Sequence, residues 1–202
     1  MLTQKQSEVV DLGPIEAFEK IFSLYKDQKE RRGWGKPYLT QHFAVFMTLM
    51  ECHEPRQVCL AGLFHSVLTD LPRYSYRQLA RDTNVFIAQL VKEVSEKKAP
   101  DKVVDKKANW ELRKRDILER FLHMSTAAQK IFVVINIYYL KSLLDYYYEK
   151  GDEIWPELNA PKEKMAWYYR ELSLLLTANF RHPLSSDYHY YLEKAEQLFQ
   201  WG

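Results

Sequence analysis

Cysteine, glycine and long apolar runs are all scarce in this 202-residue chain, and each shortage closes off a class of protein. The two cysteines, Cys52 and Cys59, match no zinc-ligand spacing and lie in apolar helical patterns, so two reduced thiols are expected rather than a disulfide framework. Six glycines leave no phosphate-cradling Gly-rich loop, and there is neither a Ser/His/Asp arrangement nor a CxxC motif. No segment approaches the roughly 18 uninterrupted apolar residues that span a bilayer, and MLTQKQSEVVDLG has no apolar signal-peptide core. A net charge of +2 exerts no strong pull towards nucleic acid or membrane. The expectation is a cytoplasmic protein with no membrane partner, and nucleic acid is not an expected ligand. A composition of 47% hydrophobic and 28% charged residues suits a single globular domain over 1–202.

What the chain does have is helical periodicity. Pro14 can begin a helix through Lys29, with Ile15, Phe18, Ile21, Phe22 and Tyr25 on one face. ERRGWGKPYL breaks the period and reads as a loop, after which Thr40 can cap a second helix carrying Phe43, Val45, Phe46, Leu49 and Met50. A third helix, apolar nearly all round, runs from Glu54-Pro55 to about Leu68. Ser75 caps a short helix to Arg81, and Val85 to Glu96 forms another, with Phe86, Ile87, Leu90, Val91 and Val94 inward. Residues 97–116 are dominated by charge and read as a mobile, solvated segment leading into a helix over Trp110 to Leu122. Ser125 caps a long helix ending at Gly151, and further helices lie near Lys162 to Ala178 and Ser186 to Phe199. IFVVINIYYL is rich in strand-forming residues, but it sits inside a helical pattern of more than 20 residues. The fold class is therefore all-α.

The order of these pieces carries a resemblance. An Arg-containing loop holds Arg32, Gly35, Pro37 and Tyr38, and an apolar helix ends in His65-Ser66-Val67-Leu68-Thr69-Asp70. Leu90-Val91-Lys92-Glu93-Val94-Ser95 and the Ser125-capped helix follow. Over about residues 15–180 this resembles the HD-domain superfamily, and within it the hydrolase domain of bacterial alarmone (guanosine tetra- and pentaphosphate) enzymes. The resemblance implies an HD-domain-like helical bundle, with 181–202 as a C-terminal helical extension. It also implies a divalent metal, usually manganese, held by two histidines and two aspartates.

The departures from that pattern are chemical. The first histidine position falls at Gln41, or at His42 after a one-residue shift, and the second is His65. Ser66 stands for the first aspartate, and Ile135, with Asn136 adjacent, stands for the last. Thr69 replaces the glutamate of the water-activating pair and Asp70 remains, while Tyr139 replaces a late asparagine. Hard divalent ions need carboxylate charge that Ser and Ile lack, and metal-assisted hydrolysis needs both the ion and a base. The leading expectation is a pseudoenzyme without a cofactor, binding a guanosine nucleotide, another phosphorylated small molecule or a protein partner. Its ligand-binding candidates are Arg32, Lys36, Tyr38, Ser66 and Tyr139. The alternative is a divergent phosphohydrolase or iron-dependent oxygenase holding Mn, Fe or Zn on His42 and His65, with Asp70 as catalytic base. A third reading is a helical assembly protein that dimerises through tyrosine-rich helices, at Tyr138-Tyr139, Tyr146 to Tyr148, Tyr168-Tyr169 and Tyr188 to Tyr191.

Overall fold

A computed structural model of the chain describes residues 12–27, 37–96 and 107–201. Among the described residues every regular element is a helix. Two helices, α1 (Pro14–Tyr25) and α2 (Tyr38–Glu51), precede the buried α3 (Arg56–Leu63) and a single turn, α4 (Val67–Asp70). Helices α5 (Tyr76–Asp82), α6 (Val85–Val94) and α7 (Trp110–Phe121) follow, and then the 25-residue α8 (Thr126–Lys150). A 3-10 helix at Gly151–Glu157 leads to α9 (Lys162–Asn179) and α10 (Leu184–Phe199).

Helix α8 is the axis of the fold. It packs against α2, α3, α6 and α10, and Ile131 to Ile137 are buried without a break. A helix enclosed on all sides has no need of an amphipathic stripe, which is why its β-branched run is tolerated there. Its ends are closed as the sequence predicts: Ser125 Oγ accepts the Ala128 N–H, and Gly151 leaves the helix at φ 60°. At the start of α5, Ser75 and Gln78 form the reciprocal capping pair.

Several expectations change. Thr40 is not a cap but lies inside α2, its N–H donating to the Pro37 carbonyl, and Tyr38 and Leu39 belong to the helix rather than the loop. Helix α1 buries Ala17, Ile21 and Tyr25, leaving Ile15 and Phe22 exposed, because α1 rests on α2 and α3 along that narrower stripe. Phe86 is likewise exposed. The 3-10 helix had no clear signal; it buries Ile154 and sets Trp155 against Tyr147 and Phe199. Arg113 and Lys114 lie in the expected helix over Trp110 to Leu122, but they were also read as part of a solvated charged segment, and their side chains are only 19% and 15% exposed.

The third helix does not reach Leu68. It stops at Leu63, and Phe64 to Ser66 form a break before α4. The reason is local. His65 Nδ1 donates to the Gly62 carbonyl at 2.8 Å, and His42 Nδ1 donates to the Leu63 carbonyl at 2.6 Å. Two imidazoles thus satisfy carbonyls that a continuing helix would have paired with its own backbone. Gly62 also sits where α3 crosses α2 so closely that a Cβ would overlap Leu49 Cδ1.

Charged groups tie the periphery together. Glu54, at the α2–α3 turn, receives Lys130 of α8 at 2.6 Å and lies 3.8 Å from His182 before α10. Burial, and then the Lys130 charge, lower the His182 pKa below its ordinary 6.5. The unfolded chain therefore takes up a proton that the folded chain refuses. Stability is full above pH 6.5 and declines as the pH falls from there towards the lowered folded value. His182→Gln is expected to flatten that part of a stability–pH profile measured by urea denaturation. Burial and Glu54 together raise the Cys59 thiol to about 11, and Cys52 is raised for the same first cause. Both are free thiols. A thiol-specific chromogenic reagent at pH 7 is expected to label both rapidly only after denaturation, and fast labelling of native Cys59 would contradict its burial.

Candidate functional site

The break between α3 and α4 concentrates the chain's polar side chains in its interior. Gln41, His42, His65 and Asn136 are all buried, while Ser66, Asp70 and Tyr139 are half-buried. The two imidazoles lie 4.9 Å apart, centroid to centroid, and Tyr25 packs on His42 at 4.6 Å. Because His65 Nδ1 carries the proton given to Gly62, its Nε2 presents a lone pair, and the Gln41 amide donates to it. His42 Nε2 lies 3.3 Å from Ser66 Oγ, which donates to Asp70 Oδ2 at 2.6 Å. Tyr25 Oη donates to the same carboxylate oxygen at 3.2 Å.

This arrangement separates Gln41 from His42. Gln41 meets the outward nitrogen of His65, whereas His42 turns towards the backbone of α3 and Ser66. Both nitrogens of each histidine are engaged. At the two positions where the sequence resemblance would put metal-binding aspartates the chain has Ser66 and Ile135, and the neighbouring carboxylate of Asp70 already accepts two hydroxyls. Among the described residues no group of three or more His, Cys, Asp or Glu side chains is placed to hold a metal ion. The donor set does not fit a hard divalent cation, so no step is derived through one.

Beside these residues lies a cavity of about 180 Å³. His65, Ser66, Thr69 and Asp70 line one part of it, and Ile135, Asn136 and Tyr139 of α8 another. Trp110, Arg113 and Lys114 of α7 and Tyr168 and Tyr169 of α9 complete the wall. Lys114 Nζ is 2.7 Å from Glu96 Oε1 and 4.5 Å over the Tyr168 ring, which explains how an ammonium is kept so far from solvent. Arg113 reaches the other Glu96 oxygen at 3.5 Å. Asn136 donates to the Phe132 carbonyl and accepts the Tyr168 hydroxyl, both at 2.8 Å, so this pair fixes the α8–α9 side of the cavity. Burial holds the Tyr168 phenol far above its usual range, leaving it a donor at every ordinary pH.

Of the residues singled out from the sequence, the fold gathers His42, His65, Ser66, Asp70 and Tyr139. Arg32 and Lys36 lie outside the described residues, and Tyr38 is placed only as the first residue of α2. Sequence reasoning missed Tyr25, Glu96, Arg113 and Lys114 as site residues, and singled out Tyr168 only among the tyrosine clusters. The signal for Arg113 and Lys114 was present as helical phase with Trp110, but the surrounding charge masked it. The tyrosines offered for a dimer surface are largely internal: Tyr146, Tyr168, Tyr169 and Tyr188 are buried, and Tyr138, Tyr139, Tyr147 and Tyr191 pack against the core. Large rings beside Trp155, Phe199 and Trp201 fill the space between α8, α9 and α10, leaving Tyr148 and Tyr190 as the exposed members of these clusters.

Fold and site thus define an all-α helical protein with a polar recess beside its central helix. Among solved structures it is similar to lmo0812 from Listeria monocytogenes EGD-e, a crystal structure at 1.85 Å, with a TM-score of 0.62 and 19% identity. The match covers 82% of this chain and 98% of that one, and at this identity it shows a shared fold alone. Neither a protein-family model nor a curated protein matches the sequence. Among the described residues no helix is long and apolar enough to cross a membrane.

Proposed function

We propose that the chain is a non-hydrolytic relative of the HD-type hydrolases, which uses the recess beside His65 to hold a small phosphorylated molecule without cleaving it. The observation that carries this reading is the Gln41 amide on His65 Nε2. The nitrogen that a metal would need is spent on the N–H of an uncharged side-chain amide. Asp70 supports the same reading, because its carboxylate oxygen Oδ2 already accepts hydrogen bonds from Ser66 and Tyr25. The adjoining cavity keeps what binding requires: aromatic walls, two cations and the buried amide of Asn136.

Calorimetric titration with guanosine diphosphate and inorganic phosphate, paired with a phosphate-release assay in added manganese, tests it. The expected result is binding weakened by Lys114→Met, with no turnover. Manganese-dependent release that disappears in His65→Ala would overturn the proposal in favour of a metal enzyme.

A further inference from the structure

The hairpin of α5 and α6 carries charge of one sign on its outer surface. Residues 71–92 hold four cations, Arg73, Arg77, Arg81 and Lys92, and a single acid, Asp82. All four cations are exposed, and among the described residues none of the three arginines enters an ion pair. Asp82 is engaged elsewhere: Lys20 of α1 approaches it at 2.7 Å, and the Tyr74 hydroxyl donates to it at 2.7 Å. Arg77 and Arg81 are one helical turn apart and share a face of α5.

Apolar side chains stand at both ends of this helix. The Tyr76 ring, 36% exposed, opens α5, and the Lys92 ammonium lies 5.4 Å from its centroid, which ties α6 to that end. Past Arg81, α6 begins with Val85 and Phe86, 67% and 49% exposed. Tyr76 and Lys92 also border a surface cavity of about 470 Å³, together with Leu68, Tyr74 and Gln89. Exposed aromatic rings among arginines are the composition of an interface centre rather than of ordinary surface.

We propose that the α5–α6 hairpin is a docking surface for a short acidic segment of another protein. Its carboxylates meet Arg77 and Arg81, and its apolar side chains rest on Tyr76 and Phe86. Three of the four cations are arginine, whose planar fork takes a carboxylate through two parallel hydrogen bonds. Acids one helical turn apart, or two extended residues apart, are separated by roughly 6 Å, which matches the spacing of Arg77 and Arg81. The cavity beside Tyr76 can seat an aromatic side chain of the segment, since about 150 Å³ takes one benzene. Nucleic acid and anionic bilayers draw on positive charge spread over a wide face, whereas here it is local and the chain as a whole carries only +2. None of Tyr76, Arg77, Arg81 and Phe86 lines the recess beside His65, so this surface is separate from that site.

The test is selection from a library of random short peptides on the immobilised full chain, followed by fluorescence anisotropy of the retained peptides. These are expected to be enriched in aspartate and glutamate over the library. They should bind Arg77→Ala/Arg81→Ala at least roughly ten-fold more weakly than the unaltered chain, and Phe86→Ala more weakly by a smaller factor. All three side chains are exposed, so both variants are expected to keep the Tm of the unaltered chain. Retained peptides without acidic enrichment, or with equal affinity for the double variant, would overturn the proposal, as would a selection that retains none. Phosphatidylserine vesicles and a DNA duplex complete the set. Either one binding more tightly than the retained peptides, and losing that binding in the double variant, would overturn the proposal in favour of a polyanion surface.

Discussion

Phe199→Ala is expected to lower the stability of the whole chain by about 4 kcal/mol, the cost of emptying a closed aromatic site. In a chain of this length that corresponds to a fall in Tm of roughly 10 °C. Phe199 is 1% exposed and lies between Tyr147, Trp155 and Trp201, with ring centroids at 4.9, 5.4 and 5.1 Å. Its neighbours are large planar rings that cannot collapse into the void without losing their own edge contacts. The prediction also bears on organisation. Residues 181–202 read from the sequence as an extension beyond the recognisable pattern, yet α10 packs on both α8 and α9. Tyr188, fully buried, donates to the Tyr169 carbonyl at 2.8 Å. Differential scanning calorimetry is expected to show a single transition that moves as a unit. An unchanged main transition, with a separate small one lost, would mean that α10 is an appendage.

The second large effect belongs to Gly62→Val. Here the added atoms meet Leu49 and Val45 on α2, and neither has room to retreat because both are fully buried. Overpacking of this kind costs about 3 kcal/mol, and the better helix propensity of valine returns less than about 1 kcal/mol of it. The consequence reaches the site, since the Gly62 carbonyl is the acceptor for His65 Nδ1 and Leu63 holds His42. Pushing α2 away from α3 separates Gln41 from His65 as well. Two observables should move together: a Tm lower by roughly 8 °C, and loss of the downfield imidazole N–H signals that two engaged Nδ1 protons give in proton NMR. Gly62→Ala is expected to show the same changes at smaller amplitude. A Gly62→Val chain with normal imidazole signals would show that the close approach of α2 and α3 does not set the histidines.

The sequence by itself determined the helical class and most of the helix ends, because those depend on neighbours in the chain. The Ser75 and Ser125 caps, the Gly151 stop and the 3.6-residue period of α6 and α8 are local signals, and all stand in the structure. It also placed His65, Ser66 and Asp70 together, since they lie within six consecutive residues. What only the tertiary structure decided is how distant groups meet. Nothing local says that Gln41 rather than His42 faces His65, because a one-residue step along a helix turns a side chain by about 100° and the choice depends on how α2 is rotated against α3. Nor does composition reveal that Arg113 and Lys114 leave a charged segment for the interior. That required Glu96 and the Tyr168 ring, brought from α6's end and α9. Periodicity reads the face a helix shows, whereas the partner of that face, and hence the chemistry of the recess, is set by packing between elements far apart in the chain.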